Sequence, residues 1–375
     1  MTMRELTYQV SFNTPAFLGN AEQQAQWRTP PFKAMLRQWW RVVKAPDAGY
    51  DYRELLKREN TLFGSAGDDS GGGRSKVQLR LSRWDMGTLA ELPRMATHQH
   101  EEVKRNGQHV PVGTAVYLGF GPVTTQSNRN AIAPEVPAVA LKLRYPVSEE
   151  ASLRQTMQLA AWFGTLGSRA RNAWGSLHIE GEGLFGFEGL CDSKLADQAP
   201  LRSMTDSLTD RLAADWPHAL GACADGRPAV WRVFADKKLN DEGKLVFTGF
   251  KEWKTVLERL AKLKIGFRTQ FKFNSGGPHN RVEDRHILAY PVTNHGLAGL
   301  PNARLASQLR FKVARNKAGE YFGLIIHLPC AMPQAFFKPG NVRPPDIKHQ
   351  IEVWQQVHDF LNAQAPTLMT RIRKA

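Results

Sequence analysis

A glycine-rich stretch, residues 163–177, combines residue types that bind a phosphate backbone. Its three glycines let the main chain turn tightly and let a ligand approach closely. Between them stand two arginines, a side-chain amide and an indole, which suit phosphate oxygens and unstacked bases. The candidate binding residues of this stretch are Gly164, Gly167, Ser168, Arg169, Arg171, Asn172 and Trp174. The plainer interpretation is a tight turn between a helix and a strand, with solvated arginines.

A second set of cations lies on a helix near the N-terminus. Thr29 before Pro30 is typical of a capped helix start, and apolar residues at helical spacing from Phe32 to Val43 predict one buried face. The basic face lacks acidic residues four positions away that would neutralise it. The predicted anion-binding residues are Lys33, Arg37, Trp40 and Arg41 on this helix, and Arg74, Ser75 and Lys76 at the entrance of a predicted strand, 76–82.

The overall charge also favours a polyanionic partner. The 375 residues carry a net charge of +15, and most of it falls in residues 226–375. Such an excess indicates nucleic acid or an acidic membrane surface. No run of 18 apolar residues occurs, and the start of the chain lacks an apolar signal core. The scattered Cys191, Cys223 and Cys330 suit a reducing cytoplasm and predict neither a disulfide framework nor a zinc site.

The order of predicted elements indicates an α+β fold. Residues 1–190 read as strand, helix, strand, strand, helix, strand, with an insertion at 83–138 and a helix capped by Ser148 and ended by Gly164. This is the βαββαβ order of a ferredoxin-like (RRM-like) domain, whose sheet can bind single-stranded RNA. We expect a second such domain at 226–375, after a connector at 191–225. Within the insertion, residues 115–118 predict a strand.

The second half offers further candidate contacts. Its strongest helical pattern covers 250–264 and places Lys264 on the outer face. A strand at 287–292, a hairpin of 304–313 and 321–328, and a helix from Ile347 follow. The residues predicted to contact RNA or a partner subunit are Arg268, Lys272, Arg281, Arg285, His286 and Arg304.

Several motifs, taken in order, resemble a known family. They are Asn-Thr-Pro-Ala-Phe-Leu-Gly-Asn at 13–20, Arg-Gln-Trp-Trp-Arg at 37–41, Gly-Thr-Leu-Gly-Ser-Arg-Ala-Arg at 164–171, Asp-Arg-His at 284–286 and Tyr-Phe-Gly-Leu-Ile-Ile-His-Leu-Pro at 321–329. Together the chain resembles the first subunit of the Cmr complex, the type III-B CRISPR effector, in the RAMP superfamily. The superfamily's glycine loop corresponds to Gly164, Gly167 and Gly175.

The resemblance implies two ferredoxin-like domains and a subunit that binds RNA without cutting it. It implies a place beside the 3′ region of the guide RNA (crRNA), next to other RAMP subunits, with no cofactor or metal. We therefore expect a non-catalytic, cytoplasmic subunit that binds crRNA or target RNA. Its RNA path would be formed by Lys33, Arg37, Arg41, Arg74, Lys76, Arg169 and Arg171.

Other functions remain open. A metal-independent RAMP endoribonuclease that processes CRISPR RNA needs a general base, usually histidine; no histidine precedes His98, which disfavours it. His98 and His100 suggest a metal site, but polar surface is the simpler interpretation. Asp68 and Asp69, in a glycine-rich loop, are weak candidates for a cleavage site. Binding to an anionic membrane is disfavoured because the cations do not form one amphipathic helix.

Overall fold

The computed structural model shows an α+β chain with two four-stranded antiparallel sheets. It describes residues 2–49, 51–65, 73–187, 232–239, 245–274, 276–300, 302–329, 331–332, 336–337, 342–364 and 370–371. The predicted connector at 191–225 and most of the glycine-rich loop at 66–75 lie outside these residues. None of the described helices is long and apolar enough to cross a membrane.

The first half forms one sheet with strand order β2-β7-β1-β8. Its elements, in chain order, are β1 (Met3–Phe12), α1 (Thr29–Lys44), α2 (Tyr52–Phe63), β2 (Gln78–Leu81), β3 (Thr97–His98), β4 (Lys104–Arg105), β5 (Gln108–His109), β6 (Val112–Gly113), α3 (Thr114–Gly119), β7 (Val139–Pro146), α4 (Glu150–Phe163) and β8 (Leu177–Gly181). Strand β1 is central and antiparallel to both β7 and β8.

Alternation and helical spacing explain the main elements of this half. Leu6, Tyr8, Val10 and Phe12 are buried along β1, as predicted. The apolar face of α1 is buried as predicted, and it packs against α4. The predicted caps Thr29 and Ser148 are wrong. Helix α1 begins after Arg28, and a short 3-10 turn, Val147–Glu149, precedes α4.

The insertion between β2 and β7 contains short strand pairs and one helix. The strand predicted at 115–118 is wrong, because these residues belong to α3. A four-residue apolar run fits a helical turn as well as a strand, so its periodicity does not distinguish the two. The insertion is tied to the second half. Glu102 forms an ion pair with Arg285 (2.6 Å), and Glu258 accepts a hydrogen bond from the Ala96 amide (2.7 Å).

The second half repeats the strand order of the first. Its elements are β9 (Arg232–Ala235), β10 (Lys237–Leu239), β11 (Leu245–Phe247), α5 (Trp253–Gln270), α6 (Asp284–Leu288), β12 (Leu309–Arg315), β13 (Tyr321–His327), α7 (Ile347–Ala363) and β14 (Thr370–Arg371). The sheet order is β12-β13-β9-β14, and β10 and β11 form a separate pair. In each four-stranded sheet the strand that comes first in the chain therefore lies between the third and the fourth.

Several predictions for this half are confirmed. The hairpin is β12 and β13, and the helix from Ile347 is α7. The strand predicted at 287–292 is wrong, since Asp284–Leu288 form α6. A capping box between Glu283 and His286 starts this helix, and the sequence pattern alone did not reveal it.

The two halves meet where the glycine-rich stretch lies along β12. This strand is at the edge of its sheet, so one row of its main-chain groups needs partners. The Phe311 amide donates to the Arg171 carbonyl (2.9 Å), and the Val313 amide donates to the Ser176 hydroxyl (3.0 Å). The Asn13 side chain donates to the Val313 carbonyl (3.0 Å). One hydrophobic core runs through both halves.

Candidate anion-binding cleft

A cleft of ≈ 560 Å³ lies where the glycine-rich stretch faces α5, α6 and β12. Both halves of the chain contribute cations to its wall. They are Arg169 and Arg171 from the first half, and Lys264, Arg268, Arg285 and Arg310 from the second. We call this the cationic cleft. Among the described residues that line it there is no aspartate, glutamate or histidine.

The glycine-rich stretch is built by packing against the motif at 13–20. The Ser168 amide donates to the Phe17 carbonyl (3.0 Å), and the Gly175 amide donates to the Pro15 carbonyl (2.9 Å). Gly167 has φ = +93°, and a Cβ there would lie 2.6 Å from the Phe17 carbonyl oxygen. The glycines are therefore required by the close approach of two main-chain segments, and the result is a fixed loop.

Arg169 and Arg171 project from this fixed loop with their side chains exposed. Arg169 has φ = +59°, a left-handed conformation that non-glycine residues rarely adopt. The surrounding hydrogen bonds hold it there, so the direction of the side chain is set by the fold. Within the described part of the chain, neither guanidinium has a hydrogen bond or an ion pair. Both are available to an external anion.

Lys264 forms the floor of the cationic cleft. Its ammonium group is almost fully buried and donates to the Asn172 side-chain oxygen (2.7 Å), and the Tyr117 ring lies 5.4 Å away. Burial, and then the charges of Arg268, Arg169 and Arg285, lower the pKa of Lys264 well below its usual value. The prediction that Lys264 faces outward was wrong, because α5 continues to Gln270 and turns this position towards the glycine-rich stretch.

Arg310 and Arg268 are the remaining cations of the cleft that have no carboxylate partner in the described residues. Arg310 is buried, and the Gln38 side-chain amide of α1 lies against its two terminal nitrogens. Burial, and then the charge of Arg171, lower the pKa of Arg310. Arg268 is half-buried, and burial lowers its pKa too. No carboxylate in the described residues pairs with either guanidinium.

Arg285 differs because it has an acidic partner. Its guanidinium donates to both carboxylate oxygens of Glu102 at 2.6 Å and lies over the Phe273 ring at 5.6 Å. Glu102 comes from the insertion, so this ion pair fixes the insertion against α6. The cationic cleft therefore contains one paired and five unpaired cations.

The structure does not bring the α1 cations to this cleft. Arg37 and Arg41 both form ion pairs with Glu59 of α2, whose side chain is completely buried. Burial raises the pKa of Glu59, but the hydrogen bonds and charges of Arg41 and Arg37 outweigh it, so the net direction is down. The expectation of an unneutralised stripe was wrong, because its acidic partner comes from another helix. Lys33 is half-buried and has no such partner in the described residues.

The two tryptophans predicted to bind RNA lie in the core. Trp40 is 2% exposed and Trp174 is 0% exposed. Trp174 packs edge-on against Phe17, at 5.3 Å between ring centres, under the glycine-rich stretch. In this arrangement neither indole presents a face to a base, and both help to position the cationic elements. The amphipathic patterns gave no means of distinguishing a core tryptophan from a stacking one.

Asn172 and Ser75 have structural partners. The Asn172 amide donates to the Leu118 carbonyl (2.8 Å) while its oxygen holds Lys264. The Ser75 hydroxyl donates to the Val77 carbonyl (2.6 Å). Arg74 and Lys76 beside it are exposed, and they do not line the cationic cleft.

His286 is fully buried and uses both ring nitrogens. Nδ1 accepts from the Glu283 amide (3.0 Å), and Nε2 lies 2.7 Å from the His295 carbonyl oxygen. Burial lowers its pKa, which fits a neutral ring with the proton on Nε2. These hydrogen bonds give His286 a role in starting α6.

The other predicted cations of the second half lie outside the cationic cleft. Lys272 pairs with Glu101 at 3.0 Å, and both side chains are 68% exposed. Arg281 donates to Glu283 (3.1 Å), and Arg304 is exposed and donates to the Ala303 carbonyl (2.8 Å).

The two histidines considered for a metal site are packed against other residues of the chain. His98 Nε2 lies 2.8 Å from the Thr114 hydroxyl, and His100 is buried. Within the described ranges, no three His, Cys, Asp or Glu side chains are grouped so that they could hold a metal ion. Asp68 and Asp69 lie outside the described residues.

The sequence analysis missed Gln38, Lys264 and Arg310 as residues of the site. A signal existed for Arg310, since it and Lys312 alternate with the apolar residues Leu309, Phe311 and Val313. A buried strand with two cations indicates specific partners for them. Lys312 meets this expectation by donating to the Ala161 carbonyl (2.8 Å) near the C-terminal end of α4.

Comparison with solved structures returns matches that extend over nearly the whole chain. The chain is similar to the crystal structure of apo Cmr1 from Pyrococcus furiosus, at 16% identity and a TM-score of 0.48, over 100% of this chain and 99% of that one. It is also similar to a chain in a cryo-EM structure of the type III-B Cmr-beta complex bound to cognate target RNA, at 11% identity and a TM-score of 0.43, over 96% and 99% of the two chains.

A chain of a second Cmr-beta structure, bound to cognate target RNA and AMPPnP, has 11% identity and a TM-score of 0.44, over 95% and 98% of the two chains. No family model and no curated protein sequence matches the chain.

Proposed function

We propose that this protein is an RNA-binding subunit, and that the cationic cleft holds the RNA backbone. The observation that carries the proposal is the set of five cations without a carboxylate partner in the described residues: Arg169, Arg171, Lys264, Arg268 and Arg310. Grouping like charges costs free energy, and within the described residues no carboxylate forms an ion pair with any of the five cations to offset it. A polyanion offsets it through phosphate oxygens and the release of counterions.

The spread of the charges favours a chain of phosphates over a single small anion. Arg169 and Arg171 are exposed on the loop, whereas Lys264 and Arg310 lie deep in the cleft wall. The cations come from a loop, a helix and a strand edge, so they can contact several successive groups. A repeated phosphodiester supplies such groups, and arginine binds them with paired hydrogen bonds.

The finer proposal is a cytoplasmic, non-catalytic subunit of a Cmr complex that contacts crRNA, target RNA and neighbouring RAMP subunits. The ordered motifs support it: the motif at 164–171 lines the cleft, and the motif at 13–20 packs against that stretch. The shared strand order of the two sheets supports two ferredoxin-like domains, at 1–190 and 226–375. A non-catalytic role is favoured because the described lining of the cleft offers no histidine or carboxylate as a general base.

The test compares two double variants that remove the same charge. Arg169→Ala/Arg171→Ala removes two cations of the cleft, and Lys57→Ala/Lys251→Ala removes two exposed cations outside it. Binding of end-labelled single-stranded RNA is measured from low to moderate salt, with and without Mg²⁺. We expect only the cleft variant to lose affinity, roughly tenfold or more, and to lower the salt slope by about 1.4, because each single-strand phosphate contact contributes about 0.7.

Two results would contradict the proposal. Equal affinity and equal slope for both variants would remove the cleft from the RNA path. Specific cleavage of the labelled RNA would favour the endoribonuclease alternative, and the histidine variants that abolish it would then locate the site.

A further inference from the structure

The insertion presents an exposed aromatic side chain beside the cationic cleft. Phe120 follows α3 directly and is 65% exposed, more than any other large hydrophobic side chain in the described residues. An exposed phenylalanine costs free energy in water unless something covers it. The position of Phe120 beside the unpaired cations indicates which kind of ligand covers the ring.

The turn that carries Phe120 is packed against the glycine-rich stretch on both sides. Before it, a Cβ at Gly119 would lie 3.1 Å from the Trp174 ring nitrogen. After it, a Cβ at Gly121 would lie 3.5 Å from Nη2 of Arg169. The Val123 amide donates to the Gly119 carbonyl (2.9 Å) and closes the turn. Phe120 therefore stands on a built turn next to an unpaired guanidinium.

Helix α3 is itself part of the cleft structure. The Tyr117 ring lies 5.4 Å from the Lys264 ammonium, and the Leu118 carbonyl accepts from the Asn172 side chain (2.8 Å). The helix that presents Phe120 is therefore anchored to the residues that hold the cleft floor. The ring and the cations are parts of one surface.

Other exposed aromatic side chains in the described residues do not lie beside an unpaired cation of the cleft. Trp84 is 51% exposed, but the neighbouring Arg83 is already paired with Asp85 (3.3 Å). Phe185 is 53% exposed, and its main chain is held by Gln158 and Trp162 of α4. Only Phe120 among them adjoins a cation of the cleft. The combination of a free aromatic face and phosphate-binding cations is the arrangement that binds single-stranded nucleic acid.

We propose that Phe120 is a stacking platform for a base of the bound single-stranded RNA, adjacent to the phosphate held by Arg169. This inference rests on the proposed function and adds a base contact to its phosphate contacts. Stacking on an aromatic ring tolerates any base, so Phe120 contributes affinity without selecting a sequence. The remaining surface of the ring is covered by RNA in the complex.

The experiment compares Phe120→Ala with Phe185→Ala, which removes another exposed ring, away from the cleft. The probes are single-stranded RNAs that carry 2-aminopurine at one position, and matched RNAs with an abasic site at each position in turn. We expect Phe120→Ala to weaken binding roughly tenfold with an unchanged salt slope. Phe185→Ala should bind like the wild type, and Phe120→Trp should retain the affinity.

The abasic series gives the decisive readout. At one position the abasic RNA should bind wild type and Phe120→Ala equally, since the base that stacks is already missing. The change in 2-aminopurine fluorescence on binding should also disappear at that position in Phe120→Ala. Circular dichroism should show the same fold for all variants, because the side chain is exposed.

The outcomes separate this inference from the proposed function. If the wild type fails to bind RNA, both are wrong. If the wild type binds and Phe120→Ala binds equally well, only the stacking role is wrong. Equal weakening on every abasic RNA would assign Phe120 to the shape of the turn. Loss of a protein partner with full RNA affinity would assign it to a subunit contact.

Discussion

Two basic surfaces that look alike in the sequence differ in the folded protein. On α1, Arg37 and Arg41 share the buried carboxylate of Glu59. In the cationic cleft, five cations share no carboxylate among the described residues. The first group joins two helices, and the second remains available to a ligand. A run of cations therefore indicates a binding site only where the fold brings no acid to it.

The difference also predicts opposite effects on stability. Paired, partly buried charges stabilise the fold only while both partners are present. Unpaired, buried cations repel one another and lose hydration, so removing one relieves the free energy of the folded state. The three substitutions below test this contrast, from the largest expected effect to the smallest.

The largest effect is expected for Glu59→Gln. The substitution keeps the size of the side chain but leaves two guanidiniums without their counter-charge, and the unfolding free energy should fall by about 2–3 kcal/mol. Urea denaturation of the purified protein at neutral pH measures this change in unfolding free energy. Glu54→Gln is the control, because its ion pair with Arg58 is 40% exposed and should contribute less than about 0.5 kcal/mol.

If Glu59→Gln and Glu54→Gln lost equal stability, the α1 cations would not depend on the buried carboxylate, and the contrast between the surfaces would not hold. RNA affinity measured below the unfolding range should change little in either variant, because neither residue lines the cationic cleft.

Lys264→Met should stabilise the folded protein, in contrast to Glu59→Gln. Methionine has a similar length and no charge, so we expect the unfolding free energy at pH 7 to rise by about 1–2 kcal/mol. The control is Lys262→Met on the exposed face of the same helix, which should change stability by less than about 0.5 kcal/mol. A loss of stability in Lys264→Met would mean that the hydrogen bond to Asn172 outweighs the repulsion.

The same variant predicts a pH dependence. The folded-state pKa of Lys264 is lowered from 10.5, so between that pKa and 10.5 the unfolded chain binds more protons than the folded chain. Stability of the wild type from this group therefore rises with pH over that window. The advantage of Lys264→Met should shrink as pH is raised from 7 towards 10, as followed by urea denaturation at each pH.

The smallest effect is expected for Lys272→Ala. Its ion pair with Glu101 is exposed on both sides, so the change should stay within about 0.5 kcal/mol and vanish at high salt. Thermal unfolding at two salt concentrations measures it. A larger loss would indicate that this exposed pair fixes the insertion to the end of α5.

The sequence predicted the fold best where periodicity is long. Strand β1, helix α1, the hairpin β12–β13 and helix α7 all follow from buried residues at strand or helix spacing. Short elements failed, as at 115–118 and 287–292, because a few apolar residues fit either period. Capping was also misjudged at Thr29 and Ser148, where no side-chain hydrogen bond closes the helix start.

The sequence predicted only part of the site, because its residues are brought together by contacts between distant parts of the chain. Arg169, Arg171, Arg268 and Arg285 were all named from local patterns, but as members of two separate surfaces. Only the packing of β12 on the glycine-rich stretch brings them into one cleft. The neutralisation of Arg37 by Glu59 joins residues 22 positions apart on different helices, and a single sequence carries no local signal for such a pair.

The main-chain hydrogen bonds between the glycine-rich stretch and β12 determine how the protein behaves when it is truncated. A fragment that starts after residue 225 would keep β12 but lose the segment that covers its outer edge. An uncovered edge strand recruits strands from other molecules. Truncation at the predicted connector should therefore yield an aggregation-prone fragment, and co-expression of the two halves, which restores the shared edge, is the route to soluble pieces.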